Sequence, residues 1–360
     1  MSKLPISVCI IAKNEEKYIE GCLQHLKPFG FEIVVTDTGS TDRTKEIAAQ
    51  YADKVLDFEW IDDFSAARNF CAQHAENNWI LALDCDEYMN TFNYQEIRRL
   101  SQKFPRSVGR FQLKNIVKGP DGIQRYSVDD VVRFYNKKRF EWGCPIHEQL
   151  FDLSNPNRSL DADVKYTFFD MPMEVVHHGY DISGEEMIQK QLRNLQLLGK
   201  QLERNQRDPY TWFQIGQSQF VLQRYDKAAE AYEISLQLND DPKKYFVEIL
   251  VESLSKAYLN LDRPQDAVNI LQKYADRYKT AKYVFAQACA YQENNQALQA
   301  LMSYIKATSM NDRETLGEGL FTCYNNIIAI YTMMGEHEMA KMYMGLYEKS
   351  KAERERVLSS

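Results

Sequence analysis

The spacing of apolar and polar positions changes character halfway along the chain. In the first half, short apolar runs alternate with segments that are apolar on one face only. Ile6-Ser7-Val8-Cys9-Ile10-Ile11 reads as a strand, 15–26 as a helix, Glu32-Ile33-Val34-Val35-Thr36 as a strand and 41–51 as a helix. Val55-Leu56-Asp57-Phe58 predicts a third strand, 64–75 a third helix, and Trp79-Ile80-Leu81-Ala82-Leu83 a fourth strand. Repeated strand and helix units with short loops predict a parallel sheet covered on both faces and joined by right-handed crossovers. Ligands bind such sheets beyond the carboxyl ends of the strands. Polar residues collect at those ends: Ala12-Lys13-Asn14-Glu15 after the first strand, Asp37-Thr38-Gly39-Ser40-Thr41-Asp42 after the second, and Asp84-Cys85-Asp86 after the fourth.

From about Gly184 the period becomes helical throughout. Segment 184–204 reads as an amphipathic linker helix, and self-similarity follows it. Trp212, Ile215, Gly216, Ala228 and Tyr232 fall on the tetratricopeptide pattern W-x₂-L-G-x₂-Y…A-x₃-F. Weaker copies run through Leu254, Tyr258, Ala267 and Leu271, then Ala288, Tyr291, Ala300 and Tyr304, then Tyr324, Tyr331, Ala340 and Met344. The alanines Ala228, Ala267, Ala300 and Ala340 fall 39, 33 and 40 residues apart, against roughly 34 in the regular repeat. The expectation is three to four stacked helix pairs, with residues 1–183 as an α/β domain and 184–360 as the linker helix plus an all-α, tetratricopeptide-like domain.

A length of 360 residues accommodates both domains, and the net charge of −7 argues against a nucleic-acid binder, which would carry a basic face. No apolar run approaches the roughly 20 residues of a membrane span. Met1-Ser2-Lys3 leads straight into a strand without a signal-peptide pattern, so the expected location is the cytoplasm. The seven cysteines are scattered and form no C-x-x-C, which predicts neither disulfides nor zinc.

The candidate chemistry sits at the strand ends. Read as the continuation of a strand, Asp84 and Asp86 point to one side, where both carboxylates can face one ion. Hard oxygen ligands suit Mg²⁺ or Mn²⁺, whose shell diphosphate oxygens and water complete, which points to a nucleotide-diphosphate substrate. Asp37, before a glycine turn and a Ser/Thr cap, is placed to accept from a base imide or a ribose hydroxyl. Neither G-x-G-x-x-G nor G-x-x-x-x-G-K-[ST] occurs, which removes the usual dinucleotide and P-loop readings.

Ala12-Lys13-Asn14-Glu15-Glu16, Asp37-Thr38-Gly39-Ser40-Thr41-Asp42-Arg43-Thr44, Phe64-Ser65-Ala66-Ala67-Arg68-Asn69 and Asp84-Cys85-Asp86, in that order, resemble family 2 glycosyltransferases of the Rossmann-like GT-A fold. The resemblance implies an inverting transferase that takes a sugar from a nucleotide diphosphate, with Mn²⁺ or Mg²⁺ bridging the diphosphate. It implies that Ala12, Asn14 and Glu15 line the nucleoside pocket, that Asp37 meets uracil or ribose, and that Arg68 lies near the diphosphate or sugar. Asp86 becomes the main metal ligand, and Asp84 orients the ribose or shares the ion. Inversion needs a base to take the acceptor proton. Glu148, beside His147, is the candidate. His177 closes the metal shell in preference to His178, and Arg133 is a leaving-group clamp or a partner of Glu148. Cys144-Pro145 stands where relatives carry a glycine and a polar residue, and the Q-x-x-R-W motif and membrane helices of processive synthases are absent.

With its repeat-bearing second half, the chain is similar to sublancin-type peptide S-glycosyltransferases. That resemblance implies a UDP-hexose donor and a peptide or protein acceptor, at Cys or Ser/Thr, guided by the repeats. A cell-envelope glycan or lipid-linked acceptor is the second expectation, and a non-catalytic scaffold the third. A helical end of this kind can also form a homodimer through exposed apolar helices.

Overall fold

The computed structural model describes residues 4–118, 124–155, 167–179, 184–244 and 246–359. By its internal contacts the chain divides into two compact units, Met1–Gln206 and Arg207–Ser360.

The first unit opens with β1 (Ile6–Ala12), α1 (Ile19–Leu26), β2 (Glu32–Asp37), α2 (Thr44–Ala48), β3 (Lys54–Asp57), α3 (Phe64–His74) and β4 (Trp79–Leu83). It continues with β5 (Glu87–Phe92), α4 (Tyr94–Lys103), β6 (Val108–Lys118), β7 (Gln124–Asn136), β8 (Phe140–Gly143), β9 (Gln149–Asp152), β10 (Phe168–Asp170), β11 (Met173–His177) and α5 (Gly184–Arg204). One nine-stranded sheet has the order β3-β2-β1-β4-β7-β6-β11-β5, with β10 paired to β6, and β8 and β9 form a separate hairpin. The four strands read from the apolar runs are parallel. The rest of the sheet departs from the all-parallel expectation. β7 joins β4 and β6 antiparallel, because a hairpin needs no covering crossover helix, and β11 pairs parallel to β6 but antiparallel to β5. Apolar side chains of β1, β2 and β4 are buried on both faces, as a sheet with two covered faces requires.

Two expected helices are shorter than their periodic stretches. α1 begins at Ile19 and α2 spans only Thr44–Ala48. The residues before each one bond to the opposite loop instead of to their own helix. α5 groups by contact with the first unit. Lys200 forms an ion pair with Asp62, and the Arg193 guanidinium lies 5.5 Å from the centre of the Phe64 ring.

The second unit holds α6 (Pro209–Val221), α7 (Tyr225–Leu238), α8 (Phe246–Asn260), α9 (Pro264–Tyr274), α10 (Ala281–Glu293), α11 (Ala297–Ser309), α12 (Glu318–Met333) and α13 (His337–Ser359). They pack as four successive pairs, and one turn recurs inside every pair. The middle loop residue, Gln223, Asp262, Asn295 or Gly335, has φ of 57, 56, 57 or 76°. The next N–H reaches back five residues: Arg224 to Gln219, Arg263 to Tyr258, Gln296 to Tyr291 and Glu336 to Tyr331, at 2.8–2.9 Å. This is the six-to-one bond of a Schellman cap. Each such turn lies five residues before the repeat alanine, so the irregular spacing of the alanines arises outside the turns, chiefly in helix length: α7 and α8 have 14 and 15 residues, α9 and α10 have 11 and 13, and α11 and α12 have 13 and 16.

Gly216 accommodates a close approach: a β-carbon there would lie 2.3 Å from the Tyr232 ring, which is fully buried. Two repeat positions are displaced from the pattern. Phe213 is buried where Trp212 is half-buried, and Tyr343 is buried where Met344 is 51% exposed. In both cases the neighbouring aromatic faces the helix partner.

Candidate active site

At the carboxyl end of the sheet, the loops after β1 and β2 are bonded into one edge. Ala12 pairs in register with Asp37, and its carbonyl accepts the Thr38 N–H at 2.9 Å. Asn14 N–H donates to Ser40 Oγ at 2.9 Å, and Asn14 Oδ1 accepts from Thr41 N–H at 2.8 Å. Glu15 N–H donates to Thr44 Oγ1 at 2.7 Å, and Glu16 and Arg43 exchange bonds across the gap through Asp42 and the Glu16 carboxylate. Asn14 sits at φ 56°, a left-handed conformation that asparagine tolerates better than most residues. Asp37 is buried. Its Oδ1 accepts from Gly39 and Ser40 N–H, both at 2.9 Å, while Oδ2 is buried with no partner among the described residues. A buried acceptor left unpaired costs about 1–3 kcal/mol, which a donor on a ligand can recover.

Asp84 and Asp86 do not share a direction. β4 ends at Leu83, and the chain turns, with Glu87 N–H bonded to the Asp84 carbonyl at 3.2 Å, so the alternation expected of a continuing strand is broken. Asp84 faces two arginines: Oδ1 accepts from Arg68 at 2.8 Å and Oδ2 from Arg133 at 2.9 Å. Burial works to raise its carboxyl, and the Arg133 and Arg68 guanidiniums overcome that, holding it well below the usual carboxylate range. With both oxygens engaged, Asp84 is not placed to share an ion, and it serves as the junction of a buried network. Arg133 bonds Asp84 and both oxygens of buried Glu87, the latter at 2.8 Å; its partnership with Glu148 is electrostatic, with no hydrogen bond between them among the described residues. Burial raises the Glu87 carboxyl despite that arginine.

Arg68, on α3, spans the network. Its Nε donates to Glu148 Oε1 at 2.9 Å, while the adjacent Asn69 side chain bonds both the N–H and the carbonyl of Trp142 in β8, at 2.9 and 2.8 Å. The loop after β8 is pinned again where Phe64 N–H donates to the Pro145 carbonyl at 2.8 Å. Cys144 and His147 in that loop have φ of 68 and 54°. Cys144 thus occupies a left-handed conformation that favours glycine. His147 is held below the ordinary imidazole range by burial, and its Nε2 is buried without a partner among the described residues.

Asp86 has a different partner. His177, the last residue of β11, brings Nε2 to 3.0 Å from Asp86 Oδ2, and its Nδ1 lies 2.9 Å from Asn115 Oδ1. Burial works to lower the His177 imidazole, but the bond to Asp86 prevails and raises it. His178 turns elsewhere. Its N–H donates to the Asp86 carbonyl at 2.8 Å, and its ring lies 4.3 Å from that of Tyr88. Gly179 closes the corner, since a β-carbon there would come within 1.7 Å of Asp86 Oδ2. Tyr180 lies outside the described residues. No three His, Cys, Asp or Glu side chains among the described residues form a ready-made metal cage. One carboxylate and one imidazole converging on a point do fit an ion that takes few protein ligands.

A cleft of about 1130 Å³ opens at Asp86, lined by Asn14, Glu15, Lys17, Tyr18, Asp86 and Gly179 on one side and by Glu185, Glu186, Ile188, Gln189, Lys190 and Arg193 of α5 on the other. The Glu15 carboxyl is pushed up to about 7, chiefly by burial and then by Asp86, Asp84 and Asp42. Reading α5 as a linker missed its part in this cleft. The signal was present in Glu186, Gln189, Lys190 and Arg193, a polar stripe at helical spacing.

Residues 7–147 match the model of Glycosyl transferase family 2, and the first unit carries a domain of that family. The chain is 27% identical over 268 residues to the SPbeta prophage-derived glycosyltransferase SunS of Bacillus subtilis, covering 69% of this chain and 58% of that protein. It is 32% identical over 186 residues to a TPR repeat-containing protein of Synechococcus elongatus, covering 51% of this chain and 44% of that protein. The chain thus spans about half the length of the curated relatives it matches. The crystal structure of S. aureus TarS aligns with a TM-score of 0.39 at 16% identity, over 74% of this chain and 54% of that one. No helix among the described residues is long and apolar enough to cross a membrane.

Proposed function

We propose that the cleft binds a UDP-sugar and that the first unit transfers the hexose, with inversion, to a peptide or protein side chain, Cys or Ser/Thr. The observation that carries the reading is the grouping at the carboxyl end of the sheet: Asp37 Oδ2, buried without a donor among the described residues, and Asp86 and His177 converging 3.0 Å apart beside a glycine with no room for a β-carbon. Asp37 accepts from the uracil or ribose, next to the edge built by Ala12, Asn14 and Glu15. Asp86 and His177 would hold Mn²⁺ or Mg²⁺. Such an ion neutralises the charge that develops on the departing diphosphate.

Glu148 takes the acceptor proton. Arg68 anchors its Oε1, and no partner for Oε2 occurs among the described residues. Arg68 and Arg133 act through Asp84 to fix this geometry, so both are positioning residues. The repeats of the second unit supply a surface for the acceptor chain, and the protein works in the cytoplasm. Glu148→Gln tests the base assignment. Donor binding by calorimetry should persist while transfer, followed by intact mass of acceptor peptides, falls about 10²–10⁴-fold. Undiminished transfer would remove Glu148 from the mechanism, and transfer only to lipid-linked glycans would replace the acceptor class.

A further inference from the structure

Behind His177 lies a hydrogen-bond chain whose polarity is determined from its outer end. Asn115 is buried at 1% exposure on β6, in register with His177 on β11, and its Nδ2 donates to Asp129 Oδ2 at 2.7 Å. A carboxylate accepts only, so the amide must present its nitrogen to Asp129 on β7 and its oxygen to His177. Asn115 Oδ1 also accepts only. The bond of 2.9 Å to His177 Nδ1 therefore places a proton on Nδ1. Nε2 is then the ring nitrogen turned to the carboxylate, 3.0 Å from Asp86 Oδ2. Whether a proton of the metal-free ring or a bound cation bridges the two, Nδ1–H stays committed to Asn115 and Nε2 is the nitrogen presented to Asp86.

We infer that Asn115 and Asp129 are positioning residues that set the His177 tautomer, so that Nε2 is the nitrogen offered, together with Asp86, to a divalent cation. This rests on the metal-dependent reading above and extends it two residues outward. Partners of this kind fix the ring and raise its basicity as a ligand, and their loss typically lowers metal affinity about 10–100-fold.

The test is Mn²⁺ binding to the full chain, followed by electron paramagnetic resonance of the free ion, together with imidazole ¹⁵N shifts of the Mg²⁺-loaded protein labelled at histidine and assigned through His177→Gln. Asn115→Leu keeps the side-chain volume and removes the acceptor, so affinity should drop about 10–100-fold. The double variant Asn115→Asp/Asp129→Asn exchanges amide and carboxylate while keeping an acceptor toward Nδ1, and it should return affinity to within a few-fold of the parent. The ¹⁵N spectrum of the parent should place the proton on Nδ1. A proton on Nε2, or parental affinity in Asn115→Leu while Asp86→Ala and His177→Gln abolish binding, overturns the inference and leaves the metal site standing. No Mn²⁺ binding by the parent overturns both.

Discussion

Arg68 shows how much of the site depends on single side chains. Its guanidinium, 10% exposed, joins Asp84 at the tip of β4 to Glu148 beside β9. Removing one partner of a buried pair leaves uncompensated charge, so Arg68→Met should lower stability by on the order of 3 kcal/mol in urea unfolding. Arg68→Lys should recover only part of that, because an ammonium cannot reproduce the two-armed contact; equal stability of parent and Arg68→Met would refute the network. Glu15 makes a second residue-scale prediction. Its carboxyl is raised from 4.5 to about 7, so between those values the folded chain keeps a proton that the unfolded chain has released. Stability of the metal-free protein therefore falls as pH rises across that interval. Thermal unfolding of Glu15→Gln should show a flatter profile there. Asp84 has the opposite sign: its contribution is present above the ordinary carboxylate range and is lost only on acidification below it.

At the scale of elements, α5 changes role between sequence and structure. Its apolar stripe, including buried Leu197 and Leu198, made it legible as an amphipathic helix, but amphipathicity does not say what the polar face meets. That face presents Lys190 and Arg193 to the cleft that holds Asp86. Cations there should favour an anionic donor. Lys190→Ala/Arg193→Ala should raise the donor KM roughly five-fold, about 1 kcal/mol for exposed charges, with kcat little changed and the effect shrinking at high salt. Unchanged KM would return α5 to a purely structural role. Among the strands, β1 to β4 were legible because each is an apolar run closed by turn residues. The later strands were not, since β5, β8 and β9 mix polar and apolar positions and gain their order from pairing partners distant in sequence.

For the whole molecule, the family pattern placed Ala12, Asp37 and Asp84 at the carboxyl ends of strands, where the structure has them, while side-chain direction escaped it. The motif Asp84-Cys85-Asp86 read as one ion site because strand periodicity was carried one residue too far; the turn after Leu83 assigns Asp84 to arginines and Asp86 to His177. In the second unit, a glycine and two aromatics were legible as a repeat, and the recurring Schellman turns give that repeat its physical basis. The two contact-defined units meet at Gln206 and Arg207, so a first unit made for study should retain α5. The central claim concerns the cleft, and nucleotide release from a panel of UDP-, GDP- and dTDP-sugars tests it most directly, with Mn²⁺, Mg²⁺ or EDTA, in the parent and in Asp86→Ala. The account predicts release from a UDP-hexose that requires the ion and disappears in the variant. Release that is indifferent to both EDTA and Asp86→Ala, or absence of any nucleotide-sugar binding by calorimetry with the ion present, would contradict it.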